Sequence, residues 1–384
     1  DIPIKSIQTA YMLDEKTGYI KVDQFADSTY PEFLVALAKL GQQGATRLVL
    51  DLRGNHGGFV QPAIRMAYEF LPGNRMVFYM QGRHSPRENF ISDGRGAHQS
   101  TPLIVLVDEQ TASASEIFAG SMQDNDRALI VGRRSFGKGL VQESIEFRDG
   151  SMLRLTIARY YMPSGRCVQK PYTPGDFEEY EMDFINRIKS GELESGDSIK
   201  EHGKKFYTRL GRTVYSENGI TPDVFVPEQT ELLTSYVKEA SMKGLLVKYA
   251  YVYTNENRKA LSELKTWKEV AAWLKKHDVV DKFADYANKN GLPRRNLLIK
   301  KSHRLLQTYL CGYIIDDLLG RDALTRYLNS DDKCVITALK LMNEGKAFPA
   351  APKKPRQDKP KNGKERTAQA GCGVEMQAQP SFFA

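Results

Sequence analysis

A serine and a lysine in this sequence have neighbours that suit them to hydrolyse an amide bond. Ser113 follows a short apolar run, Pro102–Val107, and precedes a run with helical periodicity, Ile117–Met122. A serine at this point lies at a helix N-terminus, where unpaired N–H groups and the positive end of the helix dipole stabilise an oxyanion. We therefore consider Ser113 a candidate nucleophile. The alternative is that Ser113 only caps the helix, because Ser113 and Glu116 have the form of a capping box.

Lys138 is the candidate general base. It lies between Gly137 and Gly139, which let the chain turn tightly and direct the side chain inward. A lysine accepts a proton only when it is neutral, and burial in an apolar pocket favours the neutral form. Gln142, four residues later, lies on the same face of a predicted strand, where its amide oxygen could accept from the lysine nitrogen. The alternative is a solvated loop lysine and a surface glutamine.

A histidine offers a rival base. His56 lies in the glycine-rich turn 54–58, and Asp51 could orient it in a serine–histidine–aspartate arrangement. The same turn, however, contains Gly57, whose bare backbone could donate N–H groups to a ligand. We therefore favour the lysine. No histidine and carboxylate pair has a helical or strand spacing suited to a metal, so we predict neither a metal site nor a cofactor.

Alternating strand and helix patterns position these residues. The alternation runs from Ser6 to Tyr161 and predicts an α/β core. Residues 171–217 are charged and loop-like, which indicates an insertion or flap, and the signals from Thr230 to Glu344 are almost all helical. We predict three regions: a catalytic core at 1–229, a C-terminal helical region at 230–345, and a disordered basic tail at 346–384.

The amino-acid composition argues against several classes of protein. The 384 residues, 41% hydrophobic and 27% charged, suffice for about two domains, and no apolar run approaches the roughly 20 residues of a membrane helix. The segment Lys346–Arg366 carries eight basic and two acidic residues and accounts for most of the net charge of +8. We therefore expect a solvated tail and no nucleic-acid partner. The four cysteines lack a CxxC pattern, which argues against a zinc or dithiol site.

Five short motifs resemble those of the carboxyl-terminal processing peptidases, the tail-specific serine proteases of peptidase family S41. The amino-acid sequences of the motifs are similar to those of Bacteroidetes-type members of the family. They occur in the family's order and cover roughly residues 5–227. The motifs are Leu52–Gly58, Thr111–Ile117, Ser135–Gln142, Leu155–Gly165 and Gly219–Asp223.

The resemblance implies a crotonase/ClpP-like α/β core with a serine–lysine dyad. In it, Ser113 is the nucleophile, Lys138 the general base and Gln142 the partner that orients the lysine. The backbone N–H groups of Gly57 and Ala114 form the oxyanion hole. The family usually carries a PDZ domain ahead of the core, which binds substrate termini by strand addition. We expect this chain to lack that domain, which leaves substrate selection and activation open while the dyad is intact.

The expectation is a serine endopeptidase that cleaves protein substrates near their C-terminal tails, binding them as extended strands. The usual location of the family implies that this protein lies in the bacterial cell envelope or periplasm. Whether it forms a homo-oligomer remains open. Three alternatives stand beside it: a non-catalytic peptide-binding or scaffold protein on the same fold, a latent protease that needs its PDZ domain, and crotonase-type acyl-CoA chemistry. The last needs neither a serine at position 113 nor a lysine at position 138.

Overall fold

A computed structural model describes residues 5–173, 177–196, 203–228 and 230–352. The core contains strands and helices in alternation, which confirms the α/β prediction. Its strands are β1 (Thr9–Met12), β2 (Thr17–Lys21), β3 (Arg47–Asp51), β4 (Met76–Gln81), β5 (Glu88–Ile91), β6 (Leu103–Val107), β7 (Leu129–Gly132), β8 (Leu140–Glu146), β9 (Met152–Tyr161), β10 (Lys205–Tyr207), β11 (Thr213–Tyr215) and β12 (Val224–Phe225). Its helices are α1 (Thr29–Gln42), α2 (Val60–Phe70), α3 (Ala114–Asp124) and α4 (Phe177–Lys189).

The central sheet has six strands in the order β1-β2-β3-β6-β7-β12. β1 pairs antiparallel with β2, and every other pair is parallel. All five residues of β6 are buried, as expected for a parallel strand that is covered on both faces. One face of the sheet packs against residues of α1, α2 and α3 in the largest apolar cluster. The carboxyl ends of β3 and β6 lead into the two turns that carry Gly57 and Ser113.

A second, four-stranded sheet has the order β5-β4-β9-β8, so β8 is an edge strand. β8 and β9 form a long antiparallel hairpin with a register shift between Val141 and Gln142. The hairpin extends into solvent, and the side chains of β8 beyond Val141 are exposed. Lys138 lies two residues before this strand.

The segment predicted as an insertion or flap contains α4 and the β10–β11 hairpin. α4 is firmly attached to the core through Arg187, which is only 3% exposed. Its guanidinium and that of Arg134 both bind the buried carboxylate of Glu192. This helix is therefore a packed part of the core.

The C-terminal third is helical, as predicted. Its helices are α5 (Ser235–Met242), α6 (Leu245–Glu256), α7 (Arg258–Leu261), α8 (Trp267–Lys276), α9 (Val279–Lys289), α10 (Asn296–Lys301), α11 (His303–Leu319), α12 (Arg321–Asn329) and α13 (Lys333–Asn343). Helices α5 to α11 share a separate apolar cluster, with α12 packed against it. Helix α13 instead covers the second face of the central sheet, where Val335 and Ala338 pack among residues of β3, β6 and β7.

The described residues as far as Ala351 cluster as one compact unit. The predicted boundary at residue 229 stays a prediction, and most of the predicted basic tail, from residue 353 onward, lies outside the described residues. No helix in the described part of the chain is both long and apolar enough to cross a membrane.

Candidate active site

Ser113 adopts an unusual backbone conformation at the start of α3. Its φ of 58° and ψ of −118° lie in a region that non-glycine residues rarely occupy. Such a conformation costs on the order of 1–3 kcal/mol and is commonly found at functional sites. The N–H of Glu116 donates to the carbonyl oxygen of Ser113 at 2.8 Å, and Ser113 and Glu116 also have the reciprocal arrangement of a capping box. The Ser113 side chain is half-buried.

The carboxylate of Glu116 joins the serine turn to the lysine turn. Its Oε2 accepts from the backbone N–H of Ser113 at 3.0 Å and from that of Lys138 at 2.8 Å. Its Oε1 accepts from the N–H of Gly137 at 2.8 Å and from the Ser135 hydroxyl at 2.5 Å. Burial raises the pKa of Glu116, and these hydrogen bonds oppose that rise. A fully buried acid thus fixes both turns.

Tyr160 holds the same two turns by their carbonyl groups. Its hydroxyl donates to the carbonyl oxygen of Lys138 and, at 3.2 Å, to that of Ser113. The side chain is 1% exposed, and burial raises its pKa well above the usual range. The hydroxyl therefore stays protonated and can donate at any physiological pH.

A cavity of about 610 Å³ opens beside these turns. Four of the five predicted site residues line it: Ser113, Lys138, Gln142 and Gly57. Nζ of Lys138 donates to Oε1 of Gln142 at 3.4 Å, although Lys138 lies before β8 and not on the predicted strand face. Lys138 is half-buried rather than enclosed. Among the described residues, no hydrogen bond joins its Nζ to the Ser113 hydroxyl.

The two predicted oxyanion donors differ in their hydrogen bonds. The N–H of Ala114, the fifth predicted site residue, meets no protein acceptor in the described part of the chain. The N–H of Gly57 donates to Oδ1 of Asn55 at 2.8 Å. The two groups are nevertheless neighbours, because a Cβ added to Gly57 would lie 3.0 Å from the Ala114 nitrogen. Gly57 also has a φ of 97°, which favours glycine.

The rival histidine triad does not form. His56 is exposed at the cavity wall, but the carboxylate of Asp51 is buried and binds other groups. Asp51 Oδ2 accepts from Arg53 and from the Tyr19 hydroxyl, each at 2.7 Å. Arg53 also donates to Asp332 at 2.8 Å, the residue that caps α13. The structure thus links the glycine-rich turn to the C-terminal helix through ion pairs.

A second buried arginine supports the lysine turn from the opposite side. Arg187 of α4 donates to the carbonyl oxygen of Arg134 at 2.6 Å and to that of Ser135 at 3.2 Å. Further along the turn, the N–H of Gly139 donates to the Gln169 side chain at 2.8 Å. The turn that carries Lys138 is consequently fixed on both sides by buried polar groups.

Sequence reasoning missed three of these contributors. Glu116 was recognised only as part of a capping box, although its spacing from Ser113 was the available signal. Tyr160 lies within the motif Leu155–Gly165, but nothing local indicates what its hydroxyl binds. Arg187 gave no signal, because its partners are more than fifty residues earlier in the chain.

Comparison with known proteins places this site in a family. Residues 16–178 match the model of peptidase family S41, and residues 236–320 match a family of unknown function, DUF8443. The carboxyl-terminal-processing protease of Synechocystis sp. is 43% identical over 156 residues, which cover 41% of this chain and 36% of that protein. Carboxyl-terminal-processing peptidase 1 of Arabidopsis thaliana chloroplasts is 40% identical over 147 residues, 38% of this chain and 30% of that protein.

Among solved structures, the photosystem II D1 C-terminal processing protease aligns with a TM-score of 0.43 and 25% identity, over 60% of this chain and 50% of that one. The matched segments span about a third of the length of three of the curated relatives. The segment that matches the family S41 model, residues 16–178, contains Ser113, Lys138, Gln142, Glu116 and Tyr160. Residues 16–178 of this chain are therefore a peptidase family S41 domain, similar to the corresponding segment of carboxyl-terminal-processing proteases.

Proposed function

We propose that this protein is a serine endopeptidase that cleaves protein substrates near their C-terminal tails through an acyl-enzyme. The observation that carries the proposal is the placement of Ser113, in a strained backbone conformation at a helix N-terminus, on the wall of a cavity shared with Lys138. An activated nucleophile needs a base within reach and N–H donors for the oxyanion. The S41 domain match supports the same activity.

In the proposed reaction, neutral Lys138 takes the proton of the Ser113 hydroxyl as that oxygen attacks the peptide carbonyl. The N–H groups of Ala114 and Gly57 stabilise the tetrahedral oxyanion, and Gln142 orients the lysine. Lys138 then protonates the leaving amine, which departs as the acyl-enzyme forms. A water molecule attacks the acyl group, again with Lys138 as base, and releases the serine.

The second candidate is the same protease in a latent state, and two observations favour it. The Gly57 N–H is occupied by Asn55, and among the described residues Lys138 Nζ is hydrogen-bonded to Gln142 rather than to Ser113. Activation then requires the Gly57 N–H to turn from Asn55 toward the cavity and Lys138 to reach Ser113.

The proposed substrate is an extended segment of a protein. β8 leaves one edge unpaired beside the cavity, and an extended peptide can add to such an edge through backbone hydrogen bonds. The cavity wall includes apolar side chains, among them Phe25, Phe59, Ile117 and Leu140. We further propose a location in the bacterial cell envelope, and assembly into a homo-oligomer stays a prediction.

Degradation of an unfolded test protein, followed by mass spectrometry, tests the function. We expect cleavage by the unaltered protein and none by Ser113→Ala or Lys138→Ala. Ser121→Ala, which removes a serine hydroxyl from the same helix outside the cavity, is the matched control. Cleavage without any added cofactor excludes acyl-CoA chemistry. A folded protein that binds unfolded chains without cleaving them would support the scaffold alternative.

A further inference from the structure

The active-site cavity contains an arginine without a protein partner. Arg154 of β9 lines the cavity, and its side chain forms no ion pair or hydrogen bond with any described residue. Lys138 is the other lysine or arginine among the cavity-lining residues, and Asp23 is the one acid. A guanidinium stays charged at any physiological pH, so Arg154 gives the cavity a permanent positive charge.

Strand pairing places Arg154 on the cavity side of the hairpin. It pairs with Ser144 of β8, and the adjacent pair on the same face joins Gln142 to Thr156. Because paired residues of neighbouring strands point to the same face, Arg154 lies on the face of Gln142. Two residues along a strand span about 6.8 Å, so the guanidinium can reach a peptide that binds beside Gln142.

The opposite face of the hairpin carries Ile145 paired with Leu153 and Glu143 paired with Leu155. Arg154 instead faces the polar part of the cavity, where Gln142 and Ser144 supply further hydrogen-bonding groups.

We propose that Arg154 is a specificity-determining residue that binds a carboxylate of the substrate. A planar guanidinium forms paired hydrogen bonds with a carboxylate. No other common group of a peptide fits the geometry of the guanidinium as well. The carboxylate is either the C-terminus of the substrate or an aspartate or glutamate side chain near the cleaved bond. This inference rests on the proposed peptidase function, because it assumes that a peptide occupies the cavity.

Binding to the Ser113→Ala variant tests the inference without turnover. The probes are fluorescein-labelled peptides of alanine, serine and leucine: one with a free C-terminal carboxylate and one with a C-terminal amide. A second pair, both amidated, carries either aspartate or asparagine near the centre. Fluorescence anisotropy gives the dissociation constants. Arg154→Gln removes the charge, and Arg148→Gln, an exposed arginine at the hairpin turn, is the matched control.

We expect one acidic probe to bind about tenfold more tightly than its neutral match, the low end for a charged hydrogen bond at an exposed site. Arg154→Gln should abolish the difference, Arg154→Lys should restore part of it, and Arg148→Gln should leave it intact. The pair of probes that shows the difference in affinity tells whether Arg154 binds the terminal or the side-chain carboxylate.

Equal binding of both members in both pairs, or a difference that survives in Arg154→Gln, overturns the inference. Cleavage of the unfolded test protein by the unaltered chain is measured separately. A carboxylate preference without cleavage would leave the assignment of Arg154 standing and favour the latent protease or the scaffold over the active peptidase. Cleavage without a preference would support the peptidase and refute the assignment of Arg154.

Discussion

The backbone N–H groups of Ser113 and Lys138 donate to the same oxygen atom, Oε2 of Glu116, at 3.0 and 2.8 Å. Their carbonyl groups in turn accept from one hydroxyl, that of Tyr160. The nucleophile and base of the proposed reaction are thus positioned relative to each other by backbone hydrogen bonds to buried side chains. The lysine side chain itself donates to Oε1 of Gln142.

Glu116→Gln should lower kcat by roughly a hundredfold with little change in KM. An amide NH₂ would replace one oxygen and face N–H donors, leaving buried donors unsatisfied at a cost of about 1–3 kcal/mol each. We expect the two turns to separate as a result. Steady-state kinetics on a cleavable peptide and thermal unfolding measure the two effects.

Glu109→Gln is the matched control for this substitution. Glu109 is a largely buried acid that pairs with the Arg133 side chain, and in the described part of the chain its carboxylate forms no hydrogen bond with Ser113 or Lys138. The Glu109→Gln variant should lose stability without a comparable loss of kcat. If Glu116→Gln retains the kcat of the unaltered protein, the carboxylate does not position the dyad.

Tyr160→Phe removes only the hydroxyl that bridges the two carbonyl groups. We expect the free energy of unfolding to fall by about 1 kcal/mol and kcat to fall about tenfold. Tyr161→Phe is the control, because the adjacent ring stacks on Tyr79. Equal kinetics for the two variants would show that the Tyr160 hydroxyl has no positioning role.

The sequence predicted the helix start at Ser113 and the α/β core, because local patterns determine these features. It placed Lys138 and Gln142 on one strand, whereas β8 begins at Leu140, after Lys138. It did not predict the hydrogen bonds of Glu116, Tyr160 and Arg187. Such contacts join segments that only the tertiary fold brings together. Nor did the sequence indicate that Gly57 donates to Asn55, since a backbone N–H carries no residue-type signal.

Gly57→Ala should reduce kcat/KM by at least a hundredfold. The new Cβ would lie 2.7 Å from the Ser113 Cβ and 2.8 Å from the Ala112 carbonyl oxygen, in a backbone with φ near 97°. It must therefore displace the serine turn. Proline at this position would test folding instead, because it fixes φ near −65°.

Gly54→Ala separates the clash from backbone strain. Gly54 also has a positive φ, 70°, but its added Cβ would meet nothing closer than 3.8 Å. Both alanine variants incur roughly 1–2 kcal/mol of backbone strain. Only Gly57→Ala should lose activity beyond its loss of stability. Similar peptidase activity in the two variants would remove Gly57 from the proposed site.

Arg187→Met tests whether α4 supports the lysine turn. The substitution keeps most of the side-chain length but removes the donors to the carbonyl groups of Arg134 and Ser135. We expect a loss of about 3 kcal/mol, as for a broken buried ion pair, and a kcat loss that remains at temperatures where the variant is folded. Lys189→Met on the exposed side of α4 should change neither quantity. A destabilised Arg187→Met with normal kcat would limit α4 to a structural role.

The ion pair of Asp51 and Arg53 should make stability depend on pH. Burial alone would raise the pKa of Asp51, but the charges of Arg53 and Lys21, with hydrogen bonds from Arg53 and Tyr19, hold it well below its usual range. The folded protein therefore keeps this carboxylate charged where the unfolded chain, with an ordinary pKa of about 3.9, takes up a proton. Its stabilisation is complete above that value and is lost as the pH falls toward the lower folded-state pKa.

Asp51→Asn should consequently cost about 3 kcal/mol at pH 7, and the difference from the unaltered protein should shrink by about 1 kcal/mol at pH 3. Urea unfolding at several pH values gives both quantities. Asp331→Asn, which removes an exposed partner of Arg304, should show little effect at either pH. A difference that stays constant between pH 7 and pH 3 would mean that Asp51 has an ordinary pKa in the folded protein. The link from the glycine-rich turn to α13 would then depend on packing instead of charge.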